Sequence, residues 1–310
     1  MTAVDTDLDY RTNGKHRTSD RETTAERLLR SSAKLSFDPA VDIDWDRPHE
    51  AGKWYMQPER LSLYGTPLWE EMTPEQQVDL SRHEVASIAA TGIFFEMVLM
   101  RMLLKHLGKH DAQSKHFQYG LTEVADECHH STMFGRMIEW LGVPSYGPGN
   151  KVRRLAEIMQ TPVINEAIAF GGTYYVEAVL DAIQREGATD ERVQDICRRV
   201  SYIHVVEEAR HMRYADEELA RTMDGMGFMD RQRTRLLLPL VAAVCNEILI
   251  HPRVYANVGL DVDRARAEAA ANPYWQETIR WAARKPMGIF REQGLLDGPA
   301  ILAWKRMGLA

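Results

Sequence analysis

Residues 204–211 read HVVEEARH, placing two imidazoles and two adjacent carboxylates in one short run. On a helix advancing about 100° per residue, positions i, i+4 and i+7 fall at 0°, about 40° and about −20°. His204, Glu208 and His211 therefore share a single narrow stripe. The spacing Glu208-x-x-His211 occurs once earlier, as Glu127-x-x-His130 in DECHHS. Each pair offers one carboxylate and one imidazole on the same face, the donor set of a divalent metal ion. Two such helices are half of a carboxylate-bridged dimetal site; the other two helices of a bundle must each add a Glu.

Glu96 sits in GIFFEMVLM and Glu177 in TYYVEAVL, apolar stretches where a carboxylate without a partner is costly to bury. Glu96 precedes Glu127 by 31 residues, and Glu177 precedes Glu208 by the same 31. That interval allows roughly 15 residues along one helix, a turn and an equal return, so each hairpin brings its carboxylates to one level. The predicted metal set is Glu96, Glu127, His130, Glu177, His204, Glu208 and His211. Glu84 is the alternative to Glu96 as the first carboxylate. Hard oxygen donors mixed with imidazoles suit two iron ions, with manganese as the second choice. Asp126 and Glu207, one residue before each motif Glu, are placed to hydrogen-bond the His of the opposite motif and fix its ring. A zinc peptidase is excluded by the lack of His-Glu-x-x-His, and four acidic ligands suit catalytic zinc poorly. Cys128 points away from the Glu127/His130 stripe, so thiolate takes no part. His83, His106, His110 and His116 read as helix-surface or helix-end residues, and His129 points about 100° from the stripe.

The surrounding sequence supplies the helices this arrangement needs. Thr73, Pro74 and Gln76 make a capping box for a long helix running to about Lys105. The break LGKHD leads into a second helix that ends near the Gly- and Pro-rich LGVPSYGPGN. A third fits 151–186, with interruptions expected at Thr161-Pro162 and Gly171-Gly172; a fourth fits 190 to about 223, after the stop EGATDER. A fifth covers 229–250, and shorter helices follow near 261–285 and 297–307. No stretch alternates with period two, and no Gly-rich phosphate loop is present. The expected architecture is all-α, a four-helix bundle over about 73–223 with additional C-terminal helices, within one domain spanning 36–310. Residues 1–35 are polar and charged and read as a mobile arm, and residues 36–72 as an irregular segment packed on the body.

The net charge of −7 leaves no electrostatic footprint for nucleic acid or an anionic membrane. With no run of eighteen uninterrupted apolar residues and no signal-peptide core at the start, membrane insertion and export are not expected. Three widely spaced cysteines form neither a disulfide framework nor a metal knuckle, which fits a reducing cytoplasm.

The extra histidine narrows the class. With His204, Glu208 and His211 on one helix and Glu127, His130 and Glu177 in register, the chain resembles the AurF-like p-aminobenzoate N-oxygenase family over roughly residues 73–250. That resemblance implies a ferritin-like fold, a third His ligand supplied by His204, and a non-haem di-iron monooxygenase. Two ferrous ions would activate O2, with an external electron donor, and oxygen would be inserted into a small-molecule amine, an arylamine by the nearest family precedent, to give a hydroxylamine or nitro product. Family members are commonly homodimers. The family's first Glu can lie a few residues upstream of Glu96, where this chain has Gly92; the 31-residue symmetry assigns Glu96 instead. Phe94, Phe95, Met97, Tyr174 and Tyr175 are expected to keep water from the reactive centre. The competing functions are di-iron hydroxylation or desaturation of a C–H bond, and ferritin-type iron handling without catalysis. The unequal ligand sets and the helices beyond residue 228 argue against the last.

Overall fold

Thr73 begins the longest helix as its composition dictates: the Thr73 hydroxyl accepts from the Gln76 amide at 3.2 Å, and the Gln76 side chain accepts from the Thr73 amide at 3.0 Å. In the computed structural model, which describes residues 20–158, 161 and 164–310, this helix is α3 (Pro74–Leu107). Before it come α1 (Arg21–Lys34) and α2 (Pro67–Glu71). After it run α4 (Lys115–Leu141), α5 (Asn150–Ile158), α6 (Glu166–Gly187), α7 (Asp195–Asp224) and α8 (Phe228–Ile248). Five short helices follow: α9 (Arg253–Asn257), α10 (Val262–Ala271), α11 (Pro273–Ala282), α12 (Arg284–Glu292) and α13 (Ile301–Arg306). No strand occurs among the described residues; one isolated bridge joins Trp54 and Val193.

Side-chain caps set the starts of α4 and α6. Ser114 caps α4 by accepting from the Phe117 amide at 3.1 Å, and Gly142 stops it in the left-handed region at φ 64°. Asn165 caps α6 by accepting from Ile168 at 2.9 Å. The third helix predicted from sequence is therefore two, α5 and α6; residues 162 and 163, within the expected interruption, lie outside the described residues. Gly171 and Gly172 do not interrupt α6. A Cβ at either would lie 3.3 Å from Leu238 or 3.1 Å from Val241, so these glycines let α8 approach closely. The start of α7 is later than expected because 190–194 are held by the preceding irregular segment. The Trp54 amide donates to Arg192 at 2.9 Å, and Gln194 donates back to Trp54 at 2.8 Å.

The helices α3, α4, α6 and α7 pack as two antiparallel hairpins and form a ferritin-like four-helix bundle, with α8, α11 and α12 added against α6, α9 against α3, and α10 against α9 and α11. One apolar cluster includes Leu80, Tyr119, Phe134, Tyr174, Val179 and Ile203 from the bundle and reaches Phe290 and Trp304 near the C-terminal end. By length and composition α3 and the stretch Phe228–Asn257 could each cross a bilayer, but 56% of the relevant α3 window is buried inside the protein and carries core contacts.

The expected mobile arm is corrected over residues 21–34, which form α1 on the bundle surface. Arg21 donates to Glu218 at 2.7 Å, Thr24 to Glu217 at 2.7 Å, and Glu22 accepts from the backbone amide of Lys115 at 2.6 Å. Only Ala25 and Leu28 supply buried apolar residues, so hydrophobic patterning gave little sign of docking. Residues 1–19 lie outside the described residues.

Candidate metal centre

At mid-bundle, α3 supplies Glu96, α4 supplies Glu127 and His130, α6 supplies Glu177, and α7 supplies His204, Glu208 and His211. All seven are buried. Ligand-competent atoms of Glu127, His130, Glu208 and His211 lie within 4.8 Å of one another, as do those of Glu96, His130 and His204, and of Glu177, His204 and Glu208. The structure thus gathers every residue of the predicted metal set. Glu84 lies elsewhere: its carboxylate accepts from the Ser62 amide at 3.0 Å, and burial pushes its pKa up to about 7.

The imidazoles are oriented by crossed hydrogen bonds. His130 Nε2 lies 2.9 Å from Glu207 on α7, and His211 Nε2 lies 3.2 Å from Asp126 on α4. Each acid next to a motif therefore holds the His of the other motif. With Nε2–H donating outward, Nδ1 presents its lone pair inward, the tautomer that a metal ligand needs. His130 Nδ1 faces Glu127 at 3.2 Å and Glu208 at 3.4 Å; His211 Nδ1 faces Glu208 at 2.8 Å and Glu127 at 3.1 Å. Glu127 and Glu208 each approach both rings. Arg210 sits over the outer acids, 3.3 Å from Asp126 and 3.7 Å from Glu207. Backbone closes this layer: Arg210 donates to Leu35 O at 3.0 Å, and the Phe37 amide donates to Glu207 at 3.1 Å.

The inner face is electrostatically incomplete without a cation. Glu177 is pushed well above the ordinary carboxylate range by burial and by the charges of Glu208, Glu127 and Glu96. Glu208 is held well below it, because His211 and His130 outweigh the effect of burial. Glu96 Oε1, Glu177 Oε2, Glu208 Oε2 and both ring nitrogens of His204 have no hydrogen-bond partner. His204 Nε2 is 3.6 Å from Glu96 and 3.8 Å from Glu208, too far for a hydrogen bond. Buried polar groups left unpaired cost roughly 1–3 kcal/mol each, more when charged. Four carboxylates and three imidazoles with these orphaned atoms converging fit a pair of divalent ions.

An apolar cavity of about 140 Å³ adjoins the cluster through Glu177. Phe94, Phe95, Val98, Leu99, Gly172 and Val241 contribute to its wall, and Glu177 is the one ionisable residue among the described lining residues. Two of the aromatics expected to exclude water thus do line it. Tyr174 and Tyr175 are fully buried, Tyr175 packing toward Phe290 and Trp304. Met97, by contrast, is 45% exposed and points off the bundle, a correction to the expected water-excluding set.

Sequence reasoning missed Glu123. It lies one turn before Glu127, is buried, and is pushed well above the ordinary carboxylate range by burial. Its i−4 relation to Glu127 was the available signal. His106 and His116 lie at helix ends, as the sequence suggests, but they and the mid-helix His83 are buried and not on the surface. His83 is buried against Tyr146, while His106 and His116 are buried where α3 and α4 meet.

Uncharacterized proteins of Mycobacterium tuberculosis and Mycobacterium bovis are 28% identical over 239 residues, covering 74% of this chain and 69% of theirs. Among solved structures, a mutant R2-like ligand-binding oxidase with an aerobically reconstituted Mn/Fe cofactor matches with a TM-score of 0.42 and 14% identity. That match covers 94% of this chain and 92% of the other. The model of the P-aminobenzoate N-oxygenase AurF family matches residues 18–294, so the chain belongs to that family and with it to the oxygen-dependent oxidoreductases.

Proposed function

We propose that the protein binds two iron ions, with manganese as the alternative, and uses O2 to convert a small, uncharged arylamine to its hydroxylamine. The bound metal pair would supply O2 activation. Glu96, Glu127, His130, Glu177, His204, Glu208 and His211 would hold it, with His204 as the third imidazole of the set. The reaction balances as amine, O2, two protons and two electrons giving hydroxylamine and water, so an external two-electron donor is required. Further oxidation to the nitro level would repeat the demand for oxygen.

The observation that carries this reading is the apolar cavity against Glu177. A dry apolar cavity of roughly 150 Å³ accommodates benzene, so a space of this size fits one aromatic ring. Phe94 and Phe95 supply aromatic contacts, and the Glu177 end is the polar point toward which an amino group would turn. Asp126, Glu207 and Arg210 keep the two motif imidazoles fixed while protons move.

The same apolar wall also supports oxidation of a C–H bond of an alkyl substrate, because the described lining offers an amine little besides Glu177 and Thr173. To separate the two, the iron-loaded, chemically reduced protein is exposed to ¹⁸O2 with aniline, with p-aminobenzoate and with a short alkane, and products are read by mass spectrometry. Labelled N-phenylhydroxylamine from aniline is the expected result. Oxidation of the alkane alone would replace this reading with the second one, and iron uptake far above two ions per chain without either product would favour storage.

A further inference from the structure

His106, His110 and His116 belong to three successive pieces of chain: the last turn of α3, the connection after it, and the first turn of α4. His106 is ten residues beyond Glu96 on α3, about 15 Å along the axis, so this cluster is separate from the mid-bundle site. One ring nitrogen from each histidine lies within 4.8 Å of the others. The rings pack with centroids 4.8 Å apart for His106 and His110, and 4.6 Å apart for His110 and His116.

The orientation of the rings is specific. His106 Nδ1 lies 3.2 Å from the Glu166 carboxylate, which fixes the proton on that nitrogen and turns the Nε2 lone pair into the cluster. His106 Nε2 and His116 Nε2 face each other at 3.1 Å. Nitrogens bound to one ion at about 2.0–2.1 Å lie roughly 2.9 Å apart at a right angle and about 3.4 Å apart at the tetrahedral angle. The observed separation falls between these values. His116 is further set in place by Tyr214, whose hydroxyl lies 3.5 Å from Nδ1, and by Glu22 of α1, which accepts from the His116 backbone amide at 3.2 Å. The nearby cations are already engaged, Lys109 by Glu166 at 2.9 Å and Arg21 by Glu218 at 2.7 Å. His110 is half-buried, so its outer side can admit an ion and leave a coordination position to solvent.

We propose that His106, His110 and His116 form a second, mononuclear metal site for a zinc-type divalent ion, with solvent as the remaining ligand and Glu166 positioning His106. Three imidazoles without carboxylate in the inner set suit Zn²⁺, Co²⁺, Ni²⁺ or Cu²⁺ and not Mg²⁺ or Ca²⁺. An ion here would tie the α3–α4 connection together beneath the docked α1.

The test uses the full chain with its bundle loaded with iron. After equilibration with Zn²⁺ and removal of free metal, iron and zinc are counted by elemental analysis, and Co²⁺ substitution is followed by its visible absorption. The expected result is about one Zn²⁺ per chain with iron content unchanged, and Co²⁺ bands typical of nitrogen coordination. His110→Ala, at a half-exposed position in the connection, should lose the zinc and keep the iron. Glu166→Gln should retain the site with affinity about 10–100-fold weaker, as loss of an outer partner to a ligand His does. His211→Ala should lose iron and keep the zinc, which separates failure at one site from failure at the other. Zinc retained in full by His110→Ala, or no zinc bound by the iron-loaded parent, would overturn the proposal.

Discussion

The chemistry of the bundle centre rests on where individual protons sit. Asp126 and Glu207 each accept from the ring of the opposite motif, so removing either acid frees one imidazole to flip or to protonate inward. Asp126→Asn and Glu207→Gln should therefore lower metal affinity about 10–100-fold while leaving the fold intact, measured by chelator competition and circular dichroism. His204 makes a different prediction. Both its ring nitrogens are buried without a hydrogen-bond partner, which is a cost to the metal-free chain. His204→Leu should raise the melting temperature of the metal-free protein while weakening retention of one of the two ions; calorimetry with metal analysis checks both. The motif spacing made these groups legible in sequence, since His204, Glu208 and His211 share one stripe whatever surrounds them. Glu123 was less legible because an acid one turn upstream of a motif is an ordinary helical residue until its burial is known. The three clustered histidines were read singly because they come from two helix ends and the connection between them, where no periodicity relates them.

At the scale of elements, the equal 31-residue intervals specified two hairpins, and α3 with α4 and α6 with α7 are those hairpins. Apolar patterning could not show that the glycine pair of α6 is a packing device. Gly172 lines the cavity and meets Val241 of α8, so Gly172→Val should both crowd that contact, costing about 1–3 kcal/mol, and shrink the space for substrate. The expected signature is intact metal content with lost turnover of aniline. Glu84, which joins α3 to Ser62 in the irregular segment, gives a prediction in pH. Its folded pKa is raised from 4.5 to about 7 by burial, so above about pH 4.5 the unfolded chain loses this proton before the folded one does. Stability contributed by the neutral acid is then lost as pH rises from about 4.5 to about 7, a change of about 3 kcal/mol at 1.36 kcal/mol per unit. Denaturant unfolding of Glu84→Gln beside the parent should show a difference that grows in favour of the variant across that interval and levels above it. Equal pH slopes for the two proteins would contradict this account.

Over the whole molecule, the misplaced boundary was the one between arm and body. α1 docks through Arg21, Glu22 and Thr24, polar residues whose partners Glu218, Glu217 and the start of α4 are far away in sequence, so local composition could not reveal the contact. Docked, α1 leads straight into Leu35 and Phe37 over the outer acids of the metal centre. The pair of substitutions Arg21→Ala and Thr24→Val should loosen this cover and speed loss of the bundle metals to an external chelator several-fold, with little change in their equilibrium number. The closure itself is made by the Leu35 carbonyl and the Phe37 amide. Peptide groups are common to nearly every residue type, so related chains could drift in their letters at these two places and still keep the same seal. Proline at 37, which has no amide hydrogen, is the replacement that would open it.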